Sequence, residues 1–131
     1  MKYLLDTVAL VRHFTGKGKI GQKAARILDG IEDKDNHDEM VISVISLMEV
    51  MYLAEKNRIE VSLSEALDTI ASSSRYTITN LNSDILRVAE STEFYELHDR
   101  LILATGKWLG IGIISSDRRF YEVDGIEVVW D

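Results

Sequence analysis

Five short apolar stretches, Met1–Leu5, Met40–Val44, Tyr76–Thr79, Ile111–Ile114 and Glu127–Trp130, punctuate the chain. Between them the apolar residues recur at helical spacing: Val8, Leu10, Val11 and Phe14, then Ile20, Ala24, Ile27, Leu28 and Ile31. The same spacing returns after Ser46, after Ser62 in Leu63, Ala66, Leu67 and Ile70, and from Ile85 to Ala89 with Phe94 and Tyr95 closing that helix. A last helix runs from His98 to Leu109 and stops at Gly110. This alternation is the strongest constraint on the fold. Strands separated by helices form a mostly parallel sheet, joined by right-handed crossovers and covered on both faces.

In such a sheet the loops that follow the strands gather at one edge, where ligands bind. Asp6 ends the first strand, and Asp117 follows the fourth in Ser115-Ser116-Asp117. Glu49 is placed in the first turn of the helix after the second strand, and Asp99 opens the helix that leads into the fourth. All four acids therefore converge on the carboxyl edge. Singly, each has a plain explanation at a helix N-terminus, where Asp is a common cap and negative charge meets the helix dipole. Ser46-Leu47-Met48-Glu49 also fits a capping box, so locally Glu49 reads equally as a cap and as a site residue. Ser62-Leu63-Ser64-Glu65 is the same box with no clear strand before it, and is purely structural.

Together, four carboxylates repel one another unless protons or cations neutralise them. Oxygen ligands without His or Cys favour Mg²⁺ or Mn²⁺, ions that keep waters and bind phosphates. One or two such ions would activate a water for in-line attack on a phosphodiester. Composition narrows the field further. At 131 residues the chain is one domain, with a core that needs no disulfide or structural metal. It has no cysteine, which excludes thiolate chemistry and fits a reducing compartment. The net charge of −7 argues against holding nucleic acid by bulk phosphate neutralisation. No run is long enough to span a membrane and no signal peptide is visible, so a soluble cytoplasmic protein is expected.

Met1–Thr7, Ser46–Val50, His98–Thr105 and Ile114–Phe120 resemble, in order and spacing, the four successive motifs of the PIN-domain nucleases, and in particular the small VapC-type toxins of prokaryotic toxin–antitoxin pairs. The resemblance covers essentially the whole chain, 1–131, as one domain. It implies a three-layer α/β/α fold around a central parallel sheet of about five strands, and Mg²⁺- or Mn²⁺-dependent endoribonuclease activity. By motif, Asp6, Glu49, Asp99 and Asp117 would be the catalytic, metal-binding acids, Thr7 would support the first of them, and Ser115 would be the hydroxyl preceding the last. A homodimer and a cognate antitoxin, whose C-terminal segment would shield the acidic groove, are implied as well. The chain departs from the pattern at Arg119, where many relatives carry another acid, and at Gly106, where alanine is frequent.

Other residues read more plainly. Arg12, Lys17, Lys19, Arg118 and Arg119 are candidates for RNA phosphate contacts, with scattered surface cations as the alternative. His98 is expected as a helix-start residue, His13 as a partner of a helix C-terminus, and Trp108 and Trp130 as packing residues. Gly16-Lys17-Gly18 lacks the remaining glycines of a phosphate loop and follows a helix, so it is a turn. Two other functions compete. A noncatalytic PIN-fold RNA-binding or assembly module would be expected to lack an acid, and all four are present. A phosphatase using Asp6 as nucleophile would want a second Asp two residues on, where this chain has Val8.

Overall fold

Strands β1 (Lys2–Leu5), β2 (Glu39–Ser43), β3 (Tyr76–Thr79), β4 (Gly112–Ile114) and β5 (Val128–Val129) form one sheet in the order β3-β2-β1-β4-β5. Every neighbouring pair is parallel. The computed structural model describes residues 1–131. Six helices make the crossovers: α1 (Thr7–Thr15), α2 (Gln22–Asp29), α3 (Val44–Glu55), α4 (Leu63–Ala71), α5 (Ser83–Glu90) and α6 (Leu97–Leu109). Successive strands first step outward from β1 on one side, then begin again on its other side with β4. That reversal opens a crevice at the carboxyl ends of β1 and β4, the place where open α/β sheets bind ligands.

The period-two alternation of the strands divides the core into two layers. Tyr3, Leu5, Met40, Ile42 and Ile114 pack with residues of α1 to α4, among them Leu10, Leu28, Val50 and Ile70. Leu4, Val41 and Ile113 face the other way, onto Ile85 and Ala89 of α5, Ile102 and Leu103 of α6, and Phe120. The result is the three-layer α/β/α architecture that the alternation of elements calls for. Each fully buried Leu or Ile contributes roughly 1.5–3 kcal/mol, so the central strands, whose Leu4, Leu5, Ile113 and Ile114 are wholly inaccessible, anchor the two loops that carry Asp6 and Asp117.

Several elements differ from their sequence reading. Helix α3 starts at Val44, because Ser43 caps it by accepting the Ile45 amide at 3.0 Å. Ser46 therefore lies inside the helix and caps nothing, and Glu49 falls in the second turn. The run Val41–Ser46 is buried almost throughout, so no amphipathic signal marked where strand gave way to helix. The box at Ser62 and Glu65 forms with both reciprocal bonds, as expected. Phe94 and Tyr95 lie beyond α5, in the loop to α6. His13 is half-buried 2.7 Å from the Tyr76 hydroxyl, and burial lowers its pKa, so it is a neutral packing imidazole rather than a charged partner of the α1 terminus. Trp130 packs against the α1–α2 layer as expected, whereas Trp108 is 43% exposed.

Gly106 has a packing reason. A Cβ there would stand 2.7 Å from Ile113 Cδ1 and 2.8 Å from its Cγ1, so the fully buried Ile113 side chain would have to shift. Gly106→Ala would gain about 1 kcal/mol of helix propensity but overpack the α6–β4 contact, a cost of about 1–3 kcal/mol. The variant is expected to be less stable than wild type by about 1 kcal/mol in urea denaturation. A gain in stability would show that the α6–β4 contact is slack.

Candidate active site

Asp6 leaves β1 with its amide donating to the Ile114 carbonyl at 3.1 Å, which ties the first acid to the end of β4. Its Oδ1 accepts the Ala9 amide at 2.8 Å, so Asp6 is the N-cap of α1 as well as a candidate site residue. The carboxyl is buried, at 6% exposure. Burial raises its pKa; hydrogen bonds from Ser115 and Ala9 oppose the rise, and the nearby Asp117 adds to it.

Glu49 comes up from α3 and is held by α1. Its Oε1 accepts the Thr7 hydroxyl at 2.6 Å, and the same hydroxyl lies 3.0 Å from the buried Ser46 Oγ. Thr7 thus orients Glu49, not Asp6 as the motif implied, because α1 and α3 pack side by side and bring the two together. The other Glu49 oxygen is 3.5 Å from His98 Nδ1, and His98 also stands 3.8 Å from Glu96. His98 is at the start of α6, as read from the sequence, with its ring among the acids.

Asp99 sits in the first turn of α6, where its amide donates to Glu96 Oε2 at 2.5 Å. Its pKa is pushed up to about 7, first by burial and then by the charges of Glu96, Glu49, Asp6 and Asp117. The other three sequence-predicted acids, Glu49, Asp6 and Asp117, are therefore all near enough to oppose the ionisation of Asp99. Glu96 is a fifth acid at this edge, and the sequence signal for it was an acid three residues ahead of Asp99, at the cap position. Ser46, first taken for a cap, is likewise part of the Thr7–Glu49 arrangement.

Asp117 is held tightly from two sides. Its amide donates to Ser115 Oγ at 3.0 Å, and Arg119 grips both carboxylate oxygens, with Nε at 2.9 Å and Nη2 at 2.7 Å. The remaining cations are spread out. Arg12 donates to the Lys19 carbonyl at 2.8 Å and lies over Trp130, Lys17 pairs with Glu60, and Arg118 is 3.6 Å from Asp131. Lys17 and Lys19 follow the C-terminus of α1, the end remote from Asp6. Only Arg119 stands directly on an acid of the site.

The donor set, carboxylates with neighbouring hydroxyls, suits a hard divalent cation, and a proton held near neutrality on Asp99 marks a place where positive charge is wanted. As the side chains stand, no three acid or imidazole groups are close enough to share one ion. Arg119 occupies Asp117 and Thr7 occupies one Glu49 oxygen, so the acids stand singly, with a guanidinium supplying part of the missing charge.

Comparison with known proteins agrees with this fold. The family model for the PIN domain matches residues 3–126. No curated protein matches the chain in sequence. Among solved structures, VapBC2 from Rickettsia felis, bound to a DNA fragment from its promoter, is similar with a TM-score of 0.76 and 17% identity, covering 100% of both chains. A toxin–antitoxin complex from Klebsiella pneumoniae is 25% identical with a TM-score of 0.63, over 97% of this chain and 95% of that one. VapC20 of Mycobacterium tuberculosis, a sarcin–ricin loop cleaving toxin, is 17% identical with a TM-score of 0.67, over 98% of this chain and 99% of that one.

Proposed function

Because the chain belongs to the PIN domain family, we propose that it is a divalent-metal-dependent endoribonuclease and the toxin of a toxin–antitoxin pair. The observation that carries this reading is the placement of four acids, Asp6, Glu49, Asp99 and Asp117, from four separate segments at the crevice between β1 and β4, near enough that the other three raise the pKa of Asp99. Structural caps have no reason to meet; ligands of one ion do.

Asp6, Asp99, Asp117 and Glu49 would hold Mg²⁺ or Mn²⁺. When bound, the ion supplies a nucleophilic water and positive charge against the scissile phosphate. The rest of the work belongs to the protein. Asp99 would give up its proton to serve as a ligand, Thr7, itself bonded to Ser46, keeps Glu49 in one orientation, and Ser115 holds both Asp6 and the Asp117 backbone. Arg119 must release Asp117, which frees its guanidinium to meet RNA phosphate in the same place.

The antitoxin partner is supported by the toxin–antitoxin complexes among the similar structures. It is supported also by an apolar groove of about 400 Å³ beside Glu49 and His98, lined by Met48, Met51, Tyr52 and Leu53, where an antitoxin segment would lie against the acids. A homodimer and a cytoplasmic location belong to the same reading, and no helix is long and apolar enough to cross a membrane. The direct test is incubation of structured RNA with the purified protein. Cleavage is expected with Mn²⁺ or Mg²⁺ and none in EDTA. Cleavage that persists in EDTA would refute metal dependence, and binding without cleavage in either metal would instead mark a noncatalytic RNA-binding module.

A further inference from the structure

The loop between α5 and α6 carries two aromatic rings to the edge of the acidic crevice. Phe94 is anchored edge-on against the fully buried Phe120, with ring centres 5.4 Å apart at 85°. Tyr95 lies against Phe94 at 5.1 Å and 21°, yet is 73% exposed, the most exposed aromatic residue of the chain. Tyr95 is thus backed by a ring that is itself packed on the core, while most of its own surface stays open to a partner.

Its neighbours define what would cover it. The Arg119 guanidinium sits 4.9 Å from the Tyr95 ring centre while its Nη2 is 2.7 Å from Asp117. One side chain therefore spans the distance from ring to candidate metal ligand. The open pocket beside the rings, about 380 Å³, is completed by Glu93, Glu122 and Val123. Two carboxylates at this spot repel phosphate and accept N–H donors. Aromatic face, guanidinium and carboxylates together match an unpaired base whose edge offers adjacent donors. Guanine, with N1–H and N2–H₂ side by side, is the base that places two donors on one carboxylate. Sequence-specific RNA recognition works mainly on such splayed-out bases, stacked on aromatic rings and arginine planes.

We propose that Tyr95, backed by Phe94 and set beside Arg119 close to Asp117, is a stacking platform that receives an unpaired nucleobase, guanine in preference, next to the scissile phosphate. This rests on the ribonuclease reading for its substrate and deepens it by naming the residues that choose the cleavage site. The platform is a specificity element, and Tyr95 takes no part in the chemistry.

The experiment measures binding of fluorescein-labelled single-stranded RNA octamers by anisotropy: oligo-U, oligo-U with one central guanine, and oligo-U with one central abasic position. Asp99→Asn, Tyr95→Leu/Asp99→Asn and Tyr95→Phe/Asp99→Asn proteins are compared in Mn²⁺, and wild type is assayed separately for cleavage. Tyr95→Leu is expected to weaken binding of the guanine octamer about tenfold, the size of one lost base stack, with little change for the abasic octamer, and Tyr95→Phe to bind normally. Unchanged binding in Tyr95→Leu, or equal weakening for all three octamers, overturns the platform. A lower molar mass of Tyr95→Leu in light scattering, with RNA binding intact, also overturns it and assigns the ring to a protein interface. If the guanine preference is present but wild type cleaves nothing, the platform stands and the nuclease reading falls. If wild type cleaves RNA while binding of the guanine octamer does not depend on Tyr95, the reverse holds.

Discussion

Replacing Asp99 with Asn is expected to reduce metal-dependent RNA cleavage by about a hundredfold or more, since even supporting residues around a metal change affinity or activity by 10–100-fold. The same substitution is expected to stabilise the metal-free protein. Asp99 is half-buried among four other acids, and its pKa of about 7 lies well above the ordinary 3.8. A carboxyl whose folded pKa exceeds its unfolded one contributes stability that is complete below the unfolded value and is lost as pH rises through the folded value. Above about pH 7 the metal-free fold therefore carries the cost of an ionised, crowded carboxylate, and an amide of the same shape does not.

Solvent screening of a half-exposed group reduces that cost to about 1–2 kcal/mol. In thermal unfolding with EDTA, Asp99→Asn should melt about 4–8 °C above wild type at pH 8, with the gap narrowing as the pH falls from about 7 toward the ordinary 3.8. Asp6 shifts in the same direction and is present in both proteins, while His13, whose pKa burial lowers, opposes them on acidification in both. The difference between the two proteins therefore isolates Asp99. A variant that is inactive but also less stable at pH 8 would mean that Asp99 is a structural cap and that its loss damages α6.

This pairing of lost activity with gained stability is what a site assembled against its own electrostatics should give. It also separates what the sequence could convey from what it could not. The edge on which the acids meet was legible, because a strand ending in Asp6 and a crossover helix beginning near Asp99 have ends whose placement follows from parallel topology. The capping box at Ser62 and Glu65 was legible because both of its bonds are local.

The partner of Thr7 was not legible. It lies 42 residues away, and the bond exists because α1 and α3 pack together. The identical pattern at Ser46 and Glu49 was misleading for a related reason: burial on every side removed the periodicity that would have put the start of α3 at Val44. Arg119 shows a third limit. Its departure from the family pattern was visible, yet only the folded turn after Asp117 reveals that the arginine takes both oxygens of that carboxylate. A missing acid has become a built-in countercharge.

Phe120→Ala is expected to be the most damaging single core change, costing about 3–5 kcal/mol, out of a total stability of about 5–15 kcal/mol for a domain. Phe120 is fully buried in the layer formed by α5 and α6, and its amide donates to the Asp117 carbonyl at 3.1 Å. Its ring thus fastens the turn that begins at Asp117, and through Phe94 the loop that bears Tyr95. Phe120→Leu, which keeps most of the apolar volume, should cost less than about 1.5 kcal/mol. Urea unfolding of both variants measures the difference, with an unchanged slope marking a loss of stability alone. At a temperature where Phe120→Leu remains folded, its RNA cleavage should still fall, because a looser ring lets the Asp117 turn and the Phe94–Tyr95 pair drift against the better anchored Asp6. Full activity in Phe120→Leu would mean that β4 alone positions Asp117 and that Phe120 serves the core only.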